Sequence, residues 1–457
     1  MTCRQSLLKP FPLLPALNSS PPHVAAQLAH TSATLAPALS GAAKIITAVL
    51  TGRTLDAALA DPILAGELSG TLRAAVMDLA YATLRSFGRG DFFLAQLMTK
   101  PIADVHIRCL LLVALARLEA RPEQAYVIVD QAVTAAAGIA AGNYKGLVNG
   151  VLRNFLRQKD SLLTRAKINL AAHWQHPDWW ITRVKKDHPP HWQAILAANN
   201  THPPMTLRVN CRRVTSADFS DQLNAAGLQA HAEGSVGWRL EKPLPVAQIP
   251  GFAQGLCSVQ DAGAQRAAQL LDVSAGQRVL DACAAPGGKA AHLLESADIH
   301  LLALDSDPVR TARIAENVSR LGLKADNIVI RTGDAALPGT WWDGQPFDRI
   351  LADVPCSASG VVRRHPDAKW LRRATDIEGF VRTQARIIDA LWQTLAPGGK
   401  MLYATCSVFN AENDAQVAAF ISRHSNARRL PMNAAPFMQL LPTADHDGFF
   451  YALLQKI

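Results

Sequence analysis

From about residue 274 to residue 457, short apolar runs alternate with amphipathic ones, and this constrains the fold more than any other feature of the chain. The runs at 277–281, 299–305, 327–332, 347–353 and 400–405 are too short for buried helices. Nearly continuous apolarity is what a strand covered on both faces of a parallel sheet requires. Between them, 308–321, 378–395 and 413–423 carry helical periodicity. The alternation predicts an α/β domain over 274–457, a Rossmann-like doubly wound sheet with helices on both faces.

Sheets of this kind bind ligands beyond the carboxyl ends of their strands. The first predicted strand runs into Asp281, Ala282, Cys283, Ala284, Ala285, Pro286, Gly287, Gly288 and Lys289. Gly287 and Gly288 allow a tight turn and close approach to a ligand, and Lys289 opens the next helix. Neither the dinucleotide fingerprint G-x-G-x-x-G nor a phosphate-binding P-loop is present. Asp305 ends the second strand, Asp334 follows the third, and Asp353 ends the fourth. Any one of these aspartates fits equally well as a turn or N-cap residue. Three at successive strand ends suit a ligand with ribose hydroxyls, an exocyclic amine and a positive charge. S-adenosylmethionine has all three.

Two of the seven cysteines also follow predicted strand ends, Cys356 after Asp353-Val354-Pro355 and Cys406 after Ala404-Thr405. Most cysteines are inert, small buried residues. No C-x-x-C pair exists, so neither a zinc site nor a disulfide framework is expected, and a reducing cytoplasm fits. A thiolate at the crevice has a specific use. C5 of cytosine is a poor nucleophile, but thiolate addition to C6 turns the ring into an enamine that can attack a methyl sulfonium. An acid near N3, such as Asp353, assists the addition, and a base must later remove the C5 proton. A free thiol is only a few per cent ionised at neutral pH, and lowering its pKa by about 1.5 units is worth about 2 kcal/mol. Position and chemistry leave open which cysteine attacks.

Upstream, residues 1–41 form a leader rich in Pro, Ser, Ala and Leu that is expected to be poorly ordered. Residues 42–158 carry helical periodicity at 104–118, 123–137 and 145–157, the last (KGLVNGVLRNFLR) with Leu147, Val148, Val151, Leu152, Phe155 and Leu156 on one face. Residues 159–273 are expected to form a small mixed α/β linker domain. A formal charge of +9 favours a polyanionic partner. The apolar run 109–116 is too short to span a bilayer, and prolines 12 and 15 interrupt the apolar N-terminal stretch, which argues against a signal peptide.

DACAAPGGK at 281–289, DVPCS at 353–357 and YATCS at 403–407, in this order, resemble the NOL/NOP/Sun family of RNA 5-methylcytosine methyltransferases. The resemblance implies that Cys406 is the nucleophile and that Cys356 assists release. It also implies that S-adenosylmethionine lies on Cys283, Ala284, Ala285, Pro286, Gly287, Gly288, Lys289, Asp305, Asp334 and Asp353. SGVVRRHPDAKW at 359–370 and DGFFYALLQK at 447–456 look like the bacterial subgroup of that family, and the helical domain resembles its NusB-like RNA-binding domain. Val354, where alanine is common, and the leader depart from the pattern.

The implied substrate is 16S ribosomal RNA, at the cytosine numbered 967, with the target base flipped out of its stack. Arg363, Arg364, His365 and Lys369 are then expected to hold RNA phosphates. A monomer without metal or membrane attachment is expected. The alternatives are a transfer-RNA cytosine methyltransferase, argued against only by the helical domain, and a non-enzymatic NusB-like factor, which would not need both cysteines and three carboxylates. A nicotinamide-dependent oxidoreductase is disfavoured by the missing fingerprint.

Overall fold

The computed structural model describes residues 35–61, 70–432 and 434–457. Most of the predicted leader, residues 1–34, lies outside the described residues. Its last part is helical: the first described helix, Leu35–Leu50, starts before residue 42 and buries Ala36, Ala38, Leu39 and Gly41. Small residues let this helix pack closely, so composition alone made it resemble a leader.

The helical domain is built around Val105–Ala120, in which every residue from Cys109 to Leu115 is buried. The apolar run too short for a membrane is thus the central helix of a bundle, surrounded on all sides. Asp104 caps it, accepting from the backbone N–H of His106 and Ile107 at 2.9 and 3.1 Å. The helices Gly70–Arg85, Phe87–Leu97, Ala125–Ala137 and Lys145–Ala166 complete the bundle. The last of these runs past the boundary expected at 158, because Leu162 and Ala166 continue its apolar face into the same core.

The linker domain holds an antiparallel sheet of four strands, β1 (Met205–Val209), β2 (Ala230–Glu233), β3 (Gly237–Leu240) and β4 (Cys257–Val259), in the order β2-β3-β1-β4. The helix Ser216–Ala225 packs Phe219 and Leu223 with Leu207 and Val209 of β1. Arg208, also on β1, is fully buried. It donates to Glu295 at 2.8 and 2.7 Å and to the Gly288 carbonyl at 2.7 Å, which ties the linker to the third domain.

The third domain contains β5 (Arg278–Ala282), β6 (His300–Asp305), β7 (Ile328–Thr332), β8 (Phe347–Asp353), β9 (Leu395–Thr405), β10 (Ala427–Leu430), β11 (Met438–Leu440) and β12 (Phe449–Lys456). The sheet order is β10-β12-β9-β8-β5-β6-β7, with β11 also paired to β12. The contiguous strands from β9 to β7 pair in parallel, as the apolar runs predicted, while β12 joins β9 antiparallel. The helices Gly288–Ser296 and Pro308–Arg320 pack in one core, and Asp376–Thr394 and Asp414–Arg423 in the other. All five strands predicted from sequence form. The carboxyl ends of β5, β6, β7, β8 and β9 therefore share one edge.

The basic segment after Cys356 departs from expectation. Arg363 is buried and ion-paired to buried Asp447, and Arg364 pairs with Asp447 and Asp261. Lys369 is fully buried and donates to Asn200 Oδ1 at 2.6 Å. Trp370 donates to the Leu84 carbonyl, Asp367 accepts from the Leu55 amide, and Arg85 donates to the Arg363 carbonyl. The segment is a junction between the helical domain, the linker and the third domain. Only His365 keeps an exposed side chain among the four residues expected to hold phosphates, and it lies 3.6 Å from Asp56. Carboxylates from distant parts of the chain neutralise the arginines, and burial withdraws the lysine from solvent.

Candidate active site

The turn after β5 is held from several sides. Cys283 and Gly287 both have positive φ, 67° and 97°. Ala284 donates to the Leu304 carbonyl at 2.8 Å, and Gly287 to the Ala284 carbonyl at 2.8 Å. Asp305, buried at the end of β6, accepts from the Ala285 amide at 3.0 Å and from the Asp307 amide at 3.1 Å. Each of its oxygens keeps a further lone pair. Burial pushes the Cys283 thiol well up, with the charges of Asp353 and Asp305 adding to the effect.

Asp281 is 1 % exposed, and neither carboxylate oxygen has a hydrogen-bond partner among the described residues. Burial, then the Asp353 charge, raises its pKa well above the usual carboxylate range. A buried carboxyl without a donor is costly unless it is protonated or a cation lies nearby. Asp334 is exposed after β7 and accepts from the Ala336 amide at 2.9 Å. At the end of β8, Asp353 receives the Lys289 ammonium at 2.6 Å. Burial acts to lower the Lys289 pKa, but the Asp353 charge and hydrogen bond outweigh it, so the ammonium is held above its ordinary value. The turn, the carboxylates of Asp305 and Asp334 and the orphaned Asp281 thus fit a cationic nucleoside at this edge.

The structure brings the two predicted cysteines together. Cys356 follows β8 and Cys406 follows β9, and their Sγ atoms are 3.3 Å apart. Parallel pairing of Asp353 with Ala404 sets this register. Cys356 is buried, whereas Cys406 is half-buried. The hydrogen bond to Cys406, then burial, then the Cys406 and Glu412 charges push the Cys356 thiol well above its ordinary pKa. Either sulfur can donate across this contact, and the raised Cys356 thiol favours its S–H as the donor. Lys289 lies near enough for a Cys406 thiolate to favour its charged form.

Sequence reasoning missed Glu412. It is fully buried and accepts from Ser357 N at 2.8 Å, Ser357 Oγ at 2.6 Å, Ser407 Oγ at 2.6 Å and Gln384 Nε2 at 3.2 Å. Burial pushes its carboxyl up, and these hydrogen bonds oppose that shift. The only hint in the sequence was an Asn-Ala-Glu-Asn stretch at 410–413 just after the second cysteine motif.

Three family models match in chain order. The NusB family matches residues 37–157, a ferredoxin-like domain of RsmF/B-like methyltransferases matches 176–247, and the 16S rRNA methyltransferase RsmB/F matches 268–455. The chain is 42 % identical over 424 residues to ribosomal RNA small subunit methyltransferase B of Pectobacterium carotovorum, covering 91 % of this chain and 97 % of that protein. Against the protein of the same name from Serratia proteamaculans the identity is 43 %, covering 89 % and 95 %. Among solved structures, the protein PH0851 matches with a TM-score of 0.75 at 22 % identity, over 92 % of this chain and 99 % of that one. A methyltransferase homolog protein from Pyrococcus horikoshii matches with a TM-score of 0.56 at 24 % identity, over 64 % and 99 %.

Proposed function

The chain belongs to the RsmB/F family of 16S rRNA methyltransferases, and from that premise and its own site we propose that it methylates a cytosine of 16S ribosomal RNA at C5, with Cys406 as the nucleophile. The observation that carries this reading is the pair of thiols 3.3 Å apart at the ends of adjacent parallel strands, beside the Lys289–Asp353 ion pair. A methyl transfer to an exocyclic amine or a ribose oxygen has no use for two adjacent thiols. The names of the relatives and the NusB-like domain favour small-subunit ribosomal RNA over transfer RNA.

The cofactor in this reading is S-adenosylmethionine. Cys283 to Lys289 would supply the turn that holds it, with Asp305 available to accept from the ribose hydroxyls and Asp334 from the adenine amine. When bound, it supplies a methyl group on a positively charged sulfur.

The residues of the chain perform the remaining steps. Cys406 gives up its thiol proton to solvent, its sulfur bonds to C6 of the flipped cytosine, and the electrons of the C5–C6 double bond move toward N3. Lys289 donates to Asp353 at 2.6 Å, so the pair can offer a hydrogen bond or a proton to N3 as charge develops there. Once C5 carries the methyl group, a base removes its proton, the double bond re-forms, and the Cys406–C6 bond breaks. The S–H of Cys356 then donates to the departing sulfur and stabilises it as a thiolate.

Removing Asp305 takes a carboxylate from the turn and from the ribose. Asp305→Ala is expected to weaken S-adenosylhomocysteine binding by about tenfold or more, the worth of a lost hydrogen bond to a charged group. Calorimetry reads this without turnover, and affinity within twofold of the parent would remove Asp305 from the site. Bisulfite sequencing of 16S RNA from cells with and without the gene tests the reaction itself. One cytosine should lose protection in the deletion strain and regain it on complementation. An unchanged protection pattern would reject this substrate.

A further inference from the structure

We propose that Glu412 is a positioning residue that locks the two cysteine-bearing loops together and thereby sets the distance between their thiols. The inference deepens the reading of Cys356 and Cys406 as a working pair. Each of these cysteines is followed directly by a serine, Ser357 and Ser407, and both serines end on the same carboxylate. Glu412 Oε2 accepts from both hydroxyls at 2.6 Å, while Oε1 accepts from the Ser357 amide at 2.8 Å and from Gln384 at 3.2 Å. No rotation of one loop can leave the other unchanged while these bonds last.

The surrounding bonds decide what may stand at position 412. Ser407 Oγ accepts from the Phe409 amide at 3.0 Å. Ser359 Oγ lies 2.9 Å from Ser407 Oγ and already accepts from the Val408 amide, so its own proton is free to go to Ser407. A serine oxygen has two lone pairs and one proton. With the Ser359 proton on Ser407, both lone pairs of Ser407 are engaged, and its own proton goes to Glu412 Oε2 at 2.6 Å. Glutamine, with the same shape, could keep its oxygen toward the Ser357 amide only by turning an N–H₂ toward Ser407. That group would offer a donor where an acceptor is required. A buried donor facing another donor is costly, so the hydroxyl network that joins the two loops has to rearrange, and the loop carrying Cys406 loses its anchor. The Glu412 backbone is fixed independently: Tyr403 Oη donates to its carbonyl at 2.6 Å. The carboxylate, rather than the local backbone, is therefore the adjustable link.

Thiol proximity tests this without reference to methyl transfer. Diamide, an azo oxidant, takes two electrons and two protons from two thiols, which leaves a disulfide and the reduced hydrazine. In the full-length parent, tryptic mass spectrometry should find the Cys356–Cys406 disulfide formed rapidly. In Glu412→Gln, with an unchanged melting transition and unchanged S-adenosylhomocysteine affinity, that disulfide should form at least about tenfold more slowly. In a methyl-transfer assay kcat should fall at least about tenfold, with the RNA KM within about twofold. Glu412→Asp keeps an acceptor and should recover part of both rates. If the Gln variant does not fold, Ser407→Ala, which removes the proton and its need for an acceptor, supplies the same comparison: the disulfide should again form more slowly. Disulfide formation at the parental rate in a folded Gln or Ala variant would overturn the proposal. Slow disulfide formation with normal turnover would leave Glu412 as the link between loops and reject the thiol pair as the working chemistry.

Discussion

Cys406→Ala is expected to lower methyl transfer to 16S RNA on the order of 10⁴-fold or more, the scale on which a covalent nucleophile is lost. S-adenosylhomocysteine affinity should stay within about twofold, because no bond of Cys406 holds the turn at 283–289. Alanine removes the sulfur, and with it the contact to Cys356, without opening a large cavity, and the main-chain carbonyl still accepts from Gly360 at 2.8 Å. The loop therefore keeps its course. C5 without an adduct at C6 has too little nucleophilic character to react, and no nearby group substitutes. Cys356 lies 3.3 Å away, but it is buried, so it is poorly placed to attack a base entering from solvent. Turnover within tenfold of the parent would exclude Cys406 as the nucleophile.

Cys356→Ala should give the opposite failure. Addition and methyl transfer proceed, but the departing Cys406 sulfur loses its hydrogen-bond donor. A hydrogen bond to a charged group is worth about 1.5–3 kcal/mol, which corresponds to roughly 10- to 100-fold slower release. The adduct is a carbon–sulfur bond and survives denaturation. With RNA and S-adenosylmethionine present, a denaturing gel should show a retarded protein band that ribonuclease collapses. The double variant lacking both cysteines should show no such band. A Cys356→Ala protein that runs as free protein under these conditions would reject the release role.

Much of this site was legible in the sequence because its parts sit at strand ends. The runs that became β5, β6, β7, β8 and β9 are apolar along their length, and a parallel strand buried on both faces imposes that pattern. Once the strands were placed, Asp305, Asp353, Cys356 and Cys406 fell on one edge without further assumption. What was not legible depended on partners far along the chain. Arg363 and Lys369 resemble phosphate-binding residues until Asp447 and Asn200 come to rest against them. Residues 35–41 resemble the leader because alanines and glycines that permit close helix packing also abound in disordered segments. Glu412 was invisible for the same reason. A carboxylate in a polar stretch is ordinarily solvated, and only the fold reveals that two serines and a glutamine surround it. Position and chemistry left the attacking cysteine open between Cys356 and Cys406, and only the family resemblance assigned the attack to Cys406. Their unequal burial, with Cys406 the more accessible of the two, favours the same choice.

The claim that Cys406 attacks the base is tested most directly by trapping on RNA. 5-Fluorocytidine accepts a thiolate at C6 and a methyl group at C5, but its fluorine cannot leave as the proton does, so the adduct persists. Full-length protein is incubated with S-adenosylmethionine and small-subunit RNA made with 5-fluorocytidine. After denaturation and digestion with nuclease and trypsin, the peptides are mapped by mass spectrometry. The predicted result is one methylated fluorocytidine joined to Cys406, dependent on the cofactor and absent in Cys406→Ala. An adduct on Cys356, or turnover without any adduct, would contradict the assignment.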